Sequence, residues 1–135
     1  MKKEIREKIY NKFVGHCAYC GDLLQKGWHV DELLPIKRYW KYKKDGNGSF
    51  LRNSKNNYIK EHFMEHPERL TFDNQMPSCP SCNINKHSLS LEDFRGLISG
   101  FIKSMNRDSV QYKVAKRYGL LQETEKPVVF YFEKQ

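Results

Sequence analysis

The chain has 135 residues, enough for about one domain with a modest core, and it holds no long apolar run that would span a bilayer. Its 24 Lys and Arg stand against 16 Asp and Glu, a net +8 whose placement along the chain is more informative than its size. All four cysteines fall in two Cys-x-x-Cys pairs, Cys17/Cys20 and Cys79/Cys82, separated by 58 residues.

In chain order, Ile5, Ile9 and Phe13 recur every four residues and predict an amphipathic N-terminal helix ending near Gly15. The first eight residues lack the apolar core of a secretion signal, which predicts a reducing cytoplasm as the home of the chain. In that setting two remote Cys-x-x-Cys pairs read as one tetrahedral four-sulfur zinc site stapling distant segments. Disulfides or a redox Cys-x-x-Cys are the competing reading.

Residues 28–34 are apolar and partly β-branched, closed by Pro35, and predict a strand carrying Asp31 and Glu32. The segment 36–60 follows with Lys37, Arg38, Lys41, Lys43, Lys44, Arg52, Lys55 and Lys60 opposed only by Asp45, so nearly all of the excess charge is local. Tyr39, Trp40, Tyr42, Phe50 and Tyr58 are interleaved, and residues 44–49 have the turn chemistry of an exposed loop. Such a segment suits phosphate neutralisation, with aromatics stacking on bases or anchoring the loop. A solvated basic loop whose aromatics serve the core is the alternative. No internal repeat is expected.

A second strand is predicted over 70–76, before Pro77, and a short helix over 83–87. Ser90-Leu91-Glu92-Asp93 reads as a capping box opening a longer helix with Phe94, Leu97, Ile98, Phe101 and Ile102 on one face, weakened at Gly96 and Gly100. Another helix is expected over 109–118 and a C-terminal strand over 128–132. This last third reads as support, since it carries no catalytic cluster. His62-Phe63-Met64-Glu65-His66 spells a metalloprotease-like pattern, but Pro67 disfavours helix at His66 and the match is taken as chance.

A carboxylate on one strand, Asn74 on the next, and Asn83 and Lys86 on a following helix would converge in a β-β-α unit. Asp31 and Asn83 offer oxygen ligands suited to Mg²⁺ or Mn²⁺, the kind of cation that hydrolysis of a phosphodiester uses to polarise the phosphoryl group.

These residues resemble the HNH endonucleases, the ββα-metal fold with a four-cysteine zinc site, and most closely the small stand-alone members of phages and bacteria. The matching text is Cys17-Ala18-Tyr19-Cys20-Gly21, Val30-Asp31-Glu32-Leu33-Leu34-Pro35, and the run from Asn74 through Cys79-Pro80-Ser81-Cys82-Asn83 to Lys86. The resemblance implies an α+β domain over 1–135, with core 16–90, basic insertion 36–60 and C-terminal support 90–135. It implies DNA, double-stranded DNA included, as the partner, in the cytoplasm of a bacterial or phage-infected cell. It also implies that Asp31 and Asn83 hold the catalytic Mg²⁺ or Mn²⁺, that Asn74 orients the base and braces the loop, and that Lys86 contacts phosphate. Cys17, Cys20, Cys79 and Cys82 then hold structural Zn²⁺.

One position departs from the pattern. Where the family places the general-base His after the metal-binding Asp, this chain has Glu32. A carboxylate is a weaker base than imidazole and adds negative charge where a phosphate must dock, so impaired turnover is expected. His29, two residues before Asp31, would face the same side of an ideal strand, though a lone strand His is more often a packing or surface residue. An engineered change, a natural weak nuclease and a non-cutting zinc-stapled nucleic-acid-binding protein all remain open.

Overall fold

The computed structural model describes all 135 residues. Helix α1 (Lys3–Asn11) buries Ile9, and the chain then turns through Val14 and Gly15, both at positive φ. Strand β1 (His29–Glu32) pairs antiparallel with β4 (Gln75–Ser78), Asp31 lying opposite Met76 and Glu32 opposite Gln75. Helix α2 (Pro80–Lys86) follows β4 directly and packs on β1. Helices α3 (Leu91–Ser99), α4 (Phe101–Asp108) and α5 (Val110–Arg117) complete an α+β architecture with a second antiparallel pair, β2 (Arg38–Tyr42) and β3 (Lys60–Met64). No helix is long and apolar enough to cross a membrane.

The core is centred on the first cysteine knuckle. Cys17, Ala18 and Tyr19 are buried together with Leu24, Met76, Phe94 and Phe130. Tyr19 meets Phe94 and Phe130 edge-on at 5.5 and 5.7 Å, and those two rings stack at 5.3 Å. Edge-to-face and offset-stacked geometries are the favoured ones for aromatic quadrupoles. A side chain on Gly21 (φ 82°) would put its Cβ 2.7 Å from the Tyr131 ring, so the knuckle turn and the tail packed on it both require glycine there.

Four sequence expectations are corrected. The strand before Pro77 is displaced to Gln75–Ser78 and includes the proline. A two-stranded sheet leaves one side of β4 without ladder bonds, so the missing Pro77 N–H costs nothing there. The long helix after Ser90 breaks at Gly100, which ends α3 and opens α4, although Ser90 caps α3 as expected by accepting from the Asp93 N–H at 3.1 Å. The C-terminal strand does not form. Tyr131 and Phe132 donate backbone hydrogen bonds to Tyr19 and Ala18 at 2.9 Å, and a 3-10 turn over Tyr131–Lys134 then places Phe130 in the core and Phe132 against it.

The fourth correction concerns the basic insertion, which is a β-structure and contains a repeat. Beyond the β2–β3 pairing, bridges join Lys44 to Phe50 and Arg52 to Tyr58, making two further hairpins. Their turns are built alike: Asp45 Oδ1 accepts from the N–H groups of Asn47 and Ser49, and Asn53 Oδ1 from those of Lys55 and Asn57. Gly48 and Asn56 occupy the matching positive-φ positions at 83° and 61°. Lys43, Leu51 and Ile59 close the three hairpins in a ring of backbone bonds, each N–H reaching the next carbonyl at 2.9–3.0 Å. His62 lies on β3, so the metalloprotease-like pattern has no shared helix face.

Candidate functional site

The four cysteine sulfurs lie within 4.8 Å of one another, and all four thiols are free. Cys17 and Cys20 come from the knuckle after α1, whereas Cys79 caps α2 and Cys82 lies in its first turn. Tetrahedral zinc with Zn–S near 2.3 Å requires sulfur separations of about 3.8 Å. The Cys20–Cys79 separation is 3.9 Å, which fits that edge and is far too long for a disulfide. Backbone N–H groups already point at sulfur, from Cys79 to Cys17 at 3.3 Å and from Cys82 to Cys79 at 3.4 Å. Hydrogen bonding from Cys82, then from the backbone, pulls the Cys17 thiol down to about 4, and the same contact pushes Cys82 up. The donor set fits zinc.

Beside this cluster, β1, β4 and α2 form a β-β-α unit around Asp31, which is only 5% exposed. Asp31 Oδ2 accepts from the Tyr19 hydroxyl and lies 3.1 Å from Lys86 Nζ. Lys86 also donates to the Glu32 carbonyl at 2.6 Å and has no exposed surface. Burial raises the Asp31 pKa, and the Lys86 charge and the Tyr19 hydroxyl oppose that shift. The phosphate contact expected of Lys86 is therefore corrected: its ammonium faces inward and neutralises Asp31. Asn83, one helical turn before Lys86 and half-buried, shares that face of α2.

Asn74 is buried and pairs with the turn after β1. Its Oδ1 accepts from the Leu34 N–H at 2.7 Å, and its Nδ2 donates to the carbonyls of Leu34 and Arg69 at 2.9 and 3.0 Å. This pair of hydrogen bonds with Leu34 extends the β1–β4 ladder by one side chain and braces the turn beyond Glu32. The Glu32 carboxylate is held by Arg38 at 2.7 Å. His29 lies exposed at the start of β1.

Sequence reasoning overlooked two things here. Tyr19, inside the first Cys-x-x-Cys, couples the aromatic core to Asp31, and the only signal was an aromatic in the knuckle spacer. The sequence points Arg38 toward nucleic acid, and its pairing with Glu32 across residues 33–37 has no local signature. Lys37, Lys41, Lys43, Lys44, Arg52 and Lys55 are all exposed on the hairpin module.

The structure thus defines an α+β chain whose four-cysteine cluster has the geometry to bind a metal such as zinc. Compared with family models, with curated proteins and with solved structures, the chain matches none.

The buried ion pair carries a stability prediction. Lys86→Met leaves Asp31 without its counter-charge and should cost about 3–5 kcal/mol at neutral pH, as breaking buried pairs does. With its pKa raised further, Asp31 holds a proton in the folded state that the unfolded chain has released. The loss should therefore grow as pH rises above the ordinary carboxylate range and shrink in acid. Urea melts at about pH 4 and about pH 7 test this; equal losses would mean that Asp31 is not the partner that matters.

Proposed function

We propose that this chain is a metal-dependent DNA endonuclease of the HNH type, hydrolysing phosphodiester bonds, with turnover weakened because Glu32 stands where the general base belongs. The observation that carries the reading is the β1–β4–α2 unit. Asp31 sits on the first strand, Asn74 braces the turn beyond it, and Asn83 and Lys86 follow on the helix, with the cysteine cluster tying knuckle to helix. Lys86 and Tyr19 engage Asp31 through Oδ2, and on this reading the Asp31 carboxylate and the Asn83 amide, one helical turn before Lys86, supply the oxygen ligands for a cation. A bound Mg²⁺ or Mn²⁺ would polarise the phosphoryl group and shield its charge. Zn²⁺ in the cysteine cluster takes no part in the chemistry.

A second reading, a zinc-stapled nucleic-acid-binding protein without turnover, draws support from a specific observation. Both carboxylates that could do chemistry are already engaged, Asp31 by Lys86 and Glu32 by Arg38. A plasmid-nicking assay in Mg²⁺ and in Mn²⁺ separates the two. Slow nicking that disappears in Asp31→Ala supports the nuclease; DNA binding with no nicking, even after Glu32→His, supports the binding protein.

A further inference from the structure

The basic insertion is a three-hairpin platform whose two faces differ in a way that strand parity fixes. In β2, β3 and the two bridges, even-numbered residues share one side, where Tyr42, Phe50 and Tyr58 form a near-equilateral triangle of rings with centroids 5.8, 5.1 and 5.7 Å apart. Each ring belongs to one hairpin, and each is paired across its strands with a cation: Phe50 with Lys44, Tyr58 with Arg52, and Tyr42 with Lys60. Arg38 is on the same side and no even-numbered residue from 38 to 64 is acidic. The odd-numbered side carries Lys37, Lys41 and Lys43 but also Glu61 and Glu65.

The rings are 40–48% exposed, and a cation lies over two of the three. Lys44 lies 4.8 Å over Phe50, Arg52 4.0 Å over Tyr58 and Lys60 3.9 Å over Trp40, while Tyr42 is hemmed by the edges of its neighbours. A base stacking on the covered face of Phe50, Tyr58 or Trp40 would displace a cation. Cation–π packing instead holds three charges at fixed positions on a rigid sheet, which suits phosphate oxygens. Arg38 reaches Glu32 from this same side at 2.7 Å, so the even face runs on to the candidate site.

We infer that the even-numbered face of this module, through Lys44, Arg52 and Lys60, is a backbone-reading platform for duplex DNA, and that Lys37, Lys41 and Lys43 on the odd face are not part of it. The inference rests on the DNA-directed reading above for its partner but needs no catalysis.

Two triple variants remove the same charge: Lys44→Gln, Arg52→Gln, Lys60→Gln on the even face, and Lys37→Gln, Lys41→Gln, Lys43→Gln on the odd. Binding to a duplex oligonucleotide across a salt series should lose about 2.7 from the log–log slope in the even variant, and less than about 1 in the odd. Equal changes, or a larger one in the odd variant, overturn the inference. Acetylation footprinting on the unaltered chain guards against misfolding: bound duplex should protect Lys44 and Lys60 and leave Lys41 and Lys43 reactive, and the reverse pattern overturns it. Tighter binding to oligo-dT than to duplex would mean that bases displace the cations and would also overturn it, as would no binding to any nucleic acid, which would point to a protein partner. Platform binding with no nicking even after Glu32→His removes the nuclease reading and leaves this one standing.

Discussion

Removing zinc should unfold the knuckle and, with it, the core. The reason lies in where the cysteines are: Cys17 is fully buried, and Ala18 and Tyr19 beside it are the residues on which Met76, Phe94 and Phe130 pack. Only 15 of 135 residues are buried, so little apolar packing exists elsewhere to hold the fold if this centre opens. Structural zinc contributes about 10–16 kcal/mol in small metal-stapled domains, as much as the whole stability of an ordinary one. Protein purified without chelator should carry one zinc per chain, and a strong chelator should collapse its cooperative thermal melt. Cys17→Ser should do more damage than Cys20→Ser, because Cys17 also packs in the core whereas Cys20 is exposed. A metal-free chain with an unaltered melt would sink the assignment.

How far the sequence exposes this structure depends on the range of the signal. The cysteine pairs, the Ser90 cap and the strand carrying Asp31 are local patterns, and each appears where the chain spelled it. The hairpin repeat is nearly invisible because its two copies share conformation, not identity: Asp45 and Asn53 make the same turn bonds, and Gly48 and Asn56 adopt the same left-handed backbone. Lys86 reads as a surface cation in any helix pattern, and only the arrival of Asp31 from 55 residues away turns it inward. The tail departs from the expected strand for a related reason. An aromatic run favours a strand by propensity, but the available edge was a knuckle that accepts two hydrogen bonds and offers Phe130 a core to fill.

Glu32→His should raise phosphodiester cleavage by about 10²-fold or more, the low end of what a positioned general base contributes. Asn74 fixes the turn that follows position 32 and Lys86 holds the backbone carbonyl at that residue, so the replaced side chain emerges from a backbone already fastened on both sides. The substitution also removes the carboxylate that now binds Arg38, releasing a guanidinium on the same side as Lys44, Arg52 and Lys60, where phosphate would dock. Two gains are thus expected together: a base able to accept a proton at neutral pH, and less repulsion of the substrate. They can be told apart. Glu32→Gln removes the charge without supplying a base, so it should tighten DNA binding while leaving cleavage near the starting rate, and only Glu32→His should raise turnover. The rise should vanish when Asp31 or Asn83 is also changed to Ala, since the restored base then has no polarised phosphoryl group to serve. If Glu32→His binds DNA, folds and retains its zinc yet cleaves neither single- nor double-stranded DNA or RNA in Mg²⁺ or Mn²⁺, then the missing base is not what prevents turnover, and the zinc-stapled binding protein is the reading that stands.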